Sequence, residues 1–259
     1  MLIALTRPVS PSLARCELTH LAREPIDVAR AAMQHAAYER MLASCGATLV
    51  RVPAAPESPD AVFIEDTAVV VDEVAVLARP GAPSRRAEPA AVAAALAAYR
   101  PVREMTAPGT LDGGDVLRLG RTLYVGRSGR TNDEGIGQLR GFVAPFGYAV
   151  VPVEVTGCLH LKSAVTDLAD GCLLLNPAWV PAAAFPGWEP VPVDEREPHG
   201  ANALRVGGAV VYPSQYPRTR DRLLARGLRV ATTDCDELAK AEGAVTCCSV
   251  VFEANPAAG

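Results

Sequence analysis

The chain has no excess of positive charge. It carries 25 Lys and Arg against 29 Asp and Glu, a formal net charge of −4. It therefore lacks the basic stripe that a nucleic-acid binder needs to neutralise phosphates. No run of about 18 apolar residues occurs, so no helix that spans a membrane is expected. The opening MLIALTRPVSPS puts Arg7 after a short apolar run, not in the basic-then-apolar order of a secretory signal. There is no CxxC pair, which argues against a structural zinc site of the usual spacing. The seven cysteines are odd in number and irregularly spaced. That is the pattern of thiols in a reducing compartment, and a cytoplasmic chain is expected. GxGxxG, Walker, HExxH and GxSxG motifs are missing, so nucleotide, zincin and serine-hydrolase readings lack their signatures.

What is present is an ordinary globular composition: 259 residues, 49% hydrophobic and 21% charged. Strand and helix signals alternate along it. Residues 2–5, 47–52, 61–64, 68–71, 74–78, 122–125, 148–155, 159–166, 171–175, 201–204, 209–212, 228–232 and 246–252 read as strands. A strand–turn is expected over 111–116, and Met105 is read as the start of another short strand. Residues 27–42, 89–99, 132–142, 217–226 and 234–240 read as helices, with Asp27 as an acidic cap and Pro89 in a first turn. Pro-rich stretches at 53–60 and 177–198 read as loops. Strand, strand and helix recur about five times at roughly 45–55-residue intervals, a period that suggests a repeat architecture. The expectation is one α/β domain over 1–259.

Four clusters hold side chains able to do chemistry. Cys247-Cys248-Ser249 offers a thiol that attacks electrophilic carbon once ionised; the alternative is a buried cysteine acting as a small hydrophobe. His160, on an expected strand with Lys162 on the same face, suits general acid–base work or a structural hydrogen bond. Leu111-Asp112-Gly113-Gly114-Asp115 places two carboxylates around two glycines, which fits either a site that orients a histidine or a hairpin turn. Asp60 with Phe63-Ile64-Glu65-Asp66 interrupts an apolar stretch, a costly arrangement unless the acids face a cleft or a cation. Arg85 and Arg130 lie in Gly/Ser-containing loops, where an arginine fork can clamp a carboxylate.

In this order, from near residue 18 to residue 252, these segments resemble the dimethylarginine dimethylaminohydrolase family of the guanidine-modifying superfamily. The resemblance also takes in Asp27-Val28-Ala29-Arg30 with Gln34-His35, Arg79 to Arg86, Arg130-Thr131-Asn132, Leu159 to Ser163 and Thr246 to Val250. It implies a five-bladed α/β propeller of ββαβ repeats with pseudo-fivefold symmetry. It implies Cys247 as nucleophile, His160 as general acid and base, and Asp112 as the acid that orients the imidazole. Asp60 and Asp66 would grip a substrate guanidinium, with Glu65 beside them in the pocket wall. Arg85 and Arg130 would hold the substrate α-carboxylate, and Leu18 would belong to a flexible lid near 12–26. The implied partner is a small-molecule methylarginine, with no nucleic acid and no membrane, and neither a cofactor nor a metal is required. An inhibitory zinc held by Cys247 and His160 is a further expectation. The alternatives are an arginine deiminase and a non-catalytic arginine- or metal-binding module. Deiminases typically carry an acid two residues after the histidine, where this chain has Lys162, and are usually longer. The oligomeric state is left open.

Overall fold

The computed structural model describes residues 1–169 and 171–254. Strand β1 (Leu2–Thr6), helix α1 (Val28–Ser44) and strand β2 (Thr48–Arg51) form a first unit with its two strands parallel. The following units each place an antiparallel strand ahead of such a pair. The second comprises β3 (Ala68–Val70), β4 (Ala75–Leu77), α2 (Pro89–Ala97) and β5 (Val102–Glu104). The third comprises β6 (Val116–Leu119), β7 (Thr122–Arg127), α3 (Asp133–Val143) and β8 (Ala149–Glu154). After the one-turn α4 (Leu161–Ala164) comes a fourth unit of β9 (Val165–Ala169), β10 (Cys172–Leu175) and β11 (Glu189–Pro192). The fifth holds β12 (Leu204–Val206), β13 (Ala209–Pro213), α5 (Pro217–Ala225) and β14 (Val230–Thr233). The chain then passes through α6 (Asp236–Ala239) into β15 (Val250–Glu253), which runs antiparallel to β1 from Leu5↔Val250 to Leu2↔Glu253.

The C-terminal strand thus completes the blade that the N-terminal strand begins. Among the described residues this gives five three-stranded sheets of one pattern, a five-bladed α/β propeller. The first strand of each blade lies innermost: β9 abuts β6 and β12, and β15 abuts β3. Together these five strands line a central channel of about 670 Å³. Helices cover the outside. In α1, Ala31, Gln34, His35, Tyr38, Glu39 and Leu42 are buried, the three- and four-residue spacing of one helix face. No helix among the described residues is long and apolar enough to cross a membrane.

Local chemistry accounts for most of the boundaries. The Asp27 side chain accepts the Arg30 N–H, and Asn132 accepts the Gly135 N–H, so both helices start on a carboxylate or amide cap. Pro89 and Pro217 open α2 and α5, where their missing N–H costs nothing. Within the proline-rich stretch 177–198, expected as loop, the structure finds β11. Pro190 and Pro192 are tolerated there because β11 is an edge strand with one ladder only.

Six further expectations are corrected. Residues 61–64 are not a strand but lead into a 3-10 turn, Ile64–Thr67. Residues 159–166 are not one strand: His160 caps α4 and the strand begins at Val165. Residues 246–249 form a turn, and the last strand begins only at Val250. The strand expected over 201–204 begins at Leu204, and β5 ends before Met105. Asp112 to Asp115 is a buried 3-10 turn rather than a hairpin tip. In the first three cases an apolar run is bent sharply at a polar residue, and each bend delivers that residue to the centre of the ring.

Candidate active site

The bends meet at one end of the channel. Gly113 and Gly114 set how closely they meet. A Cβ on Gly114 would stand 2.7 Å from His160 Nδ1 and 2.8 Å from Asp66 Oδ1, and one on Gly113 would collide with the Glu65 carbonyl. The glycine pair is therefore a close-approach device between the Asp112 turn, the Glu65-Asp66 turn and the histidine.

His160 is buried and its Nε2 lies 3.1 Å from Asp112 Oδ2, while Nδ1 lies 3.8 Å from Asp66 Oδ1. Asp112 is itself fixed, accepting the Gly81 N–H at 2.9 Å. Asp115 pins the turn that carries the histidine: Oδ1 accepts the Leu161 N–H, and Oδ2 accepts the hydroxyls of Ser128 and Thr131. Burial alone pushes the imidazole down. The carboxylate of Asp66, the hydrogen bond from Asp112 and the charge of Asp115 outweigh it and raise the pKa to about 9. At neutral pH the ring is an imidazolium.

Asp66 and Arg85 form a buried ion pair, Nη1 to Oδ2 at 2.6 Å. Arg85 also gives Nε and Nη2 to Glu88, and Nη2 to the carbonyls of Phe63 and Asp60. Burial opposes the Asp66 charge, but His160 and Arg85 together hold its carboxyl below the usual range. Arg85 thus braces Asp66 and Glu88, and its donors are largely taken. Glu88, three residues after Arg85, was not singled out from the sequence.

Glu65 departs from its expected place. Its carboxylate accepts Lys162 Nζ at 2.5 Å and the Thr246 hydroxyl at 2.9 Å, and it faces the central channel instead of the wall shared by Asp60 and Asp66. Cys247 is partly buried on the turn before β15, and its carbonyl accepts the Glu65 N–H. Burial, then the charges of Glu65 and Asp66, push its thiol up to about 12. The neighbouring Cys248 is buried and donates to the Ala244 carbonyl.

Cys247, His160, Asp66, Asp60, Arg85 and Arg130 line one small pocket of about 20 Å³. That is room for about one water. Its outer wall is the segment near residue 17. The Glu17 N–H donates to Asp60, the Ser84 hydroxyl donates to Glu17, and Arg130 Nη2 donates to Thr19 Oγ1. Glu242, at φ 58°, accepts the N–H groups of Thr19, His20 and Leu21. Leu18 is not in the pocket lining; it packs against the core formed by α1 and the last turn. Asp60, buried at the same wall, has its pKa raised to about 6 by burial, against the pull of Arg85.

Among the described residues, Asp66, Asp112 and His160 present metal-type donors within 4.8 Å of one another, and Cys247 is outside that group. In that cluster Asp66 already holds Arg85.

No protein-family model matches the chain. It is 44% identical, over 95% of both chains, to an N(G),N(G)-dimethylarginine dimethylaminohydrolase of Streptomyces coelicolor. It is 34% identical, over 87% of its length and 90% of the relative's, to one from Pseudomonas aeruginosa. Among solved structures it matches the Pseudomonas aeruginosa enzyme as a Cys-to-Ser mutant complexed with citrulline. There the identity is 33% and the TM-score 0.92, over 96% of this chain and 98% of that one. A cyanobacterial arginine dihydrolase domain, ArgZ, shares the fold at 21% identity and a TM-score of 0.83, over 97% of this chain and 98% of that one.

Proposed function

The chain belongs to the dimethylarginine dimethylaminohydrolase family. We propose that its hydrolysis of Nω-methylated arginines to citrulline and methylamine or dimethylamine runs through Cys247, His160 and Asp112. The observation that carries this reading is the 3.1 Å contact of His160 with Asp112 beside the pocket that holds Cys247.

At rest the pair is a thiol and an imidazolium. A bound guanidinium adds a positive charge next to Cys247, opposing the carboxylates that keep its proton on. The thiol proton leaves to solvent, and the thiolate attacks the central guanidinium carbon. His160, held through Nε2 by Asp112, gives its proton to the departing amine as the C–N bond breaks. The product is an S-alkylthiouronium on Cys247. The neutral imidazole then takes a proton from water as its oxygen attacks the same carbon, and the C–S bond breaks to release citrulline and the thiolate.

Asp66 receives the guanidinium, kept ionised by Arg85. Asp60 joins Asp66 in gripping the guanidinium, and Arg130 takes the α-carboxylate. The pocket is too small for an arginine derivative, so residues 12–26 act as a lid that moves aside for entry. The reaction stays in one catalytic domain over 1–259, set in the cytoplasm in keeping with the irregular cysteine spacing.

The deiminase reading is disfavoured at one residue. The position two after His160 is Lys162, whose ammonium pairs with Glu65. The test is citrulline release from asymmetric dimethylarginine, monomethylarginine and arginine, with Cys247→Ser as control. Citrulline from the methylated substrates and none from the variant is expected. Citrulline mainly from arginine would make the protein a deiminase, and none from any substrate would make it a binding module.

A further inference from the structure

The mechanism leaves one fully buried amide without a task. Asn202, 2% exposed, sits just before β12. Its Oδ1 accepts the Thr246 N–H at 3.0 Å. Its Nδ2 donates to the Thr246 hydroxyl at 2.9 Å and to the Lys162 carbonyl at 2.9 Å. Thr246 precedes Cys247, and Lys162 lies two residues past His160.

We propose that Asn202 is a positioning residue, a staple that fixes the distance between the nucleophile's turn and the acid–base turn. This rests on the roles given above to Cys247 and His160. The two turns come from different blades, and no sheet ladder joins them directly. Asn202 bonds to both. Thr246 passes its hydroxyl on to Glu65, and Lys162 pairs with the same carboxylate. Asn202, Thr246, Glu65 and Lys162 therefore close a ring between the turn that carries Cys247 and the turn that carries His160, on the side of the central channel.

The residue type is dictated by the partners. A carbonyl and a hydroxyl need two donors, and an N–H needs one acceptor. A terminal amide supplies all three at once, whereas an aspartate supplies neither donor and would add charge beside Glu65. The benefit to catalysis is geometric. The thiolate and the imidazolium act on the same carbon–nitrogen bond, and a misplacement of about 1 Å costs roughly a hundredfold in rate. Asn202 touches no substrate, so its loss lowers kcat and leaves KM nearly unchanged.

The experiment is steady-state citrulline release by wild type, Asn202→Ala, Thr246→Val and the double variant. Each is assayed well below its Tm and normalised to folded protein by circular dichroism. The expected result is a fall in kcat of about thirtyfold or more in Asn202→Ala with KM within about threefold. Thr246→Val keeps its backbone N–H and loses less, and the double variant is no worse than Asn202→Ala because both act on one ring. If Asn202→Ala does not fold, Asn202→Ser, which retains one hydroxyl, takes its place with an intermediate loss in kcat expected. A folded Asn202 variant with wild-type kcat, or additive losses in the double variant, would overturn the staple while leaving the activity in place. A wild type that releases no citrulline would remove the activity and the staple together.

Discussion

The pocket has two walls built on opposite principles. The inner wall is dry: His160, Asp112, Asp115, Asp66, Arg85 and Glu88 are buried, and their charges are partnered by one another or by backbone amides. The outer wall is wet. Three consecutive N–H groups on Glu242, one hydroxyl on Arg130 and one on Glu17 hold residues 17–21 in place, with most of those contacts exposed. Carboxylates serve both walls, yet apart from Asp60, buried where the outer wall meets the pocket, only the inner one surrounds them with low dielectric. That is where charges shift a neighbour's proton affinity most, and where losing a partner leaves a buried charge. The inner wall is suited to chemistry and the outer wall to opening.

The largest effect should come from the nucleophile. Cys247→Ser is expected to abolish turnover and keep the fold, while Cys248→Ser, a buried neighbour bonded to a carbonyl, retains activity. Loss in both, or in Cys248→Ser alone, would assign the chemistry to the wrong thiol. Asp112→Asn should lower kcat by about 10² to 10⁴, because the imidazolium loses its anionic partner; a change below tenfold would remove Asp112 from the mechanism.

Arg85→Met tests the inner wall as structure. It leaves Asp66 and Glu88 buried without their cation, and urea unfolding should show a loss of about 3–5 kcal/mol. A loss below about 1 kcal/mol, the scale of an exposed ion pair, would erase the contrast between the walls.

The pH profile follows from the two raised groups. In the free protein the first proton leaves His160 at about 9 and the second leaves Cys247 at about 12. The reactive thiolate–imidazolium pair carries one proton fewer than the resting pair, so kcat/KM should rise with pH to about 9 and then level off. A flat profile from pH 7 to 9 would contradict this order. The smallest effect belongs to the outer wall: Glu242→Gln weakens the hold on Thr19, His20 and Leu21. Limited proteolysis near residues 12–26 should accelerate while kcat/KM stays within about tenfold. A collapse of kcat as deep as that of Asp112→Asn would make Glu242 part of the chemistry.

The sequence made the fold legible where local chemistry decides it. The cap at Asp27, the first-turn Pro89 and the fivefold rhythm all correspond to observed elements. It misled where tertiary contacts bend an apolar run. Residues 61–64, 159–164 and 246–249 carry strand-like side chains, but carboxylates, histidine and cysteine must converge there, and tight turns replace the expected strand. The gathering of Cys247, His160, Asp112, Asp60, Asp66, Arg85 and Arg130 around one pocket was anticipated through the ordered motifs. The side to which Glu65 turns was not, because its partners Lys162 and Thr246 are far away in the chain. Glu88 had a signal, three residues after Arg85, and so did Asn202, an amide inside the apolar run 201–204. Glu242 had none, since its partners are backbone N–H groups that no side-chain pattern reveals.

The most direct test of the account is to quench the protein during turnover of asymmetric dimethylarginine and measure its mass, intact and after digestion. The account predicts an adduct equal to the substrate less dimethylamine on the peptide holding Cys247, present in Cys248→Ser and absent in Cys247→Ser. An adduct on Cys248, or steady turnover with no adduct on any cysteine, would contradict it.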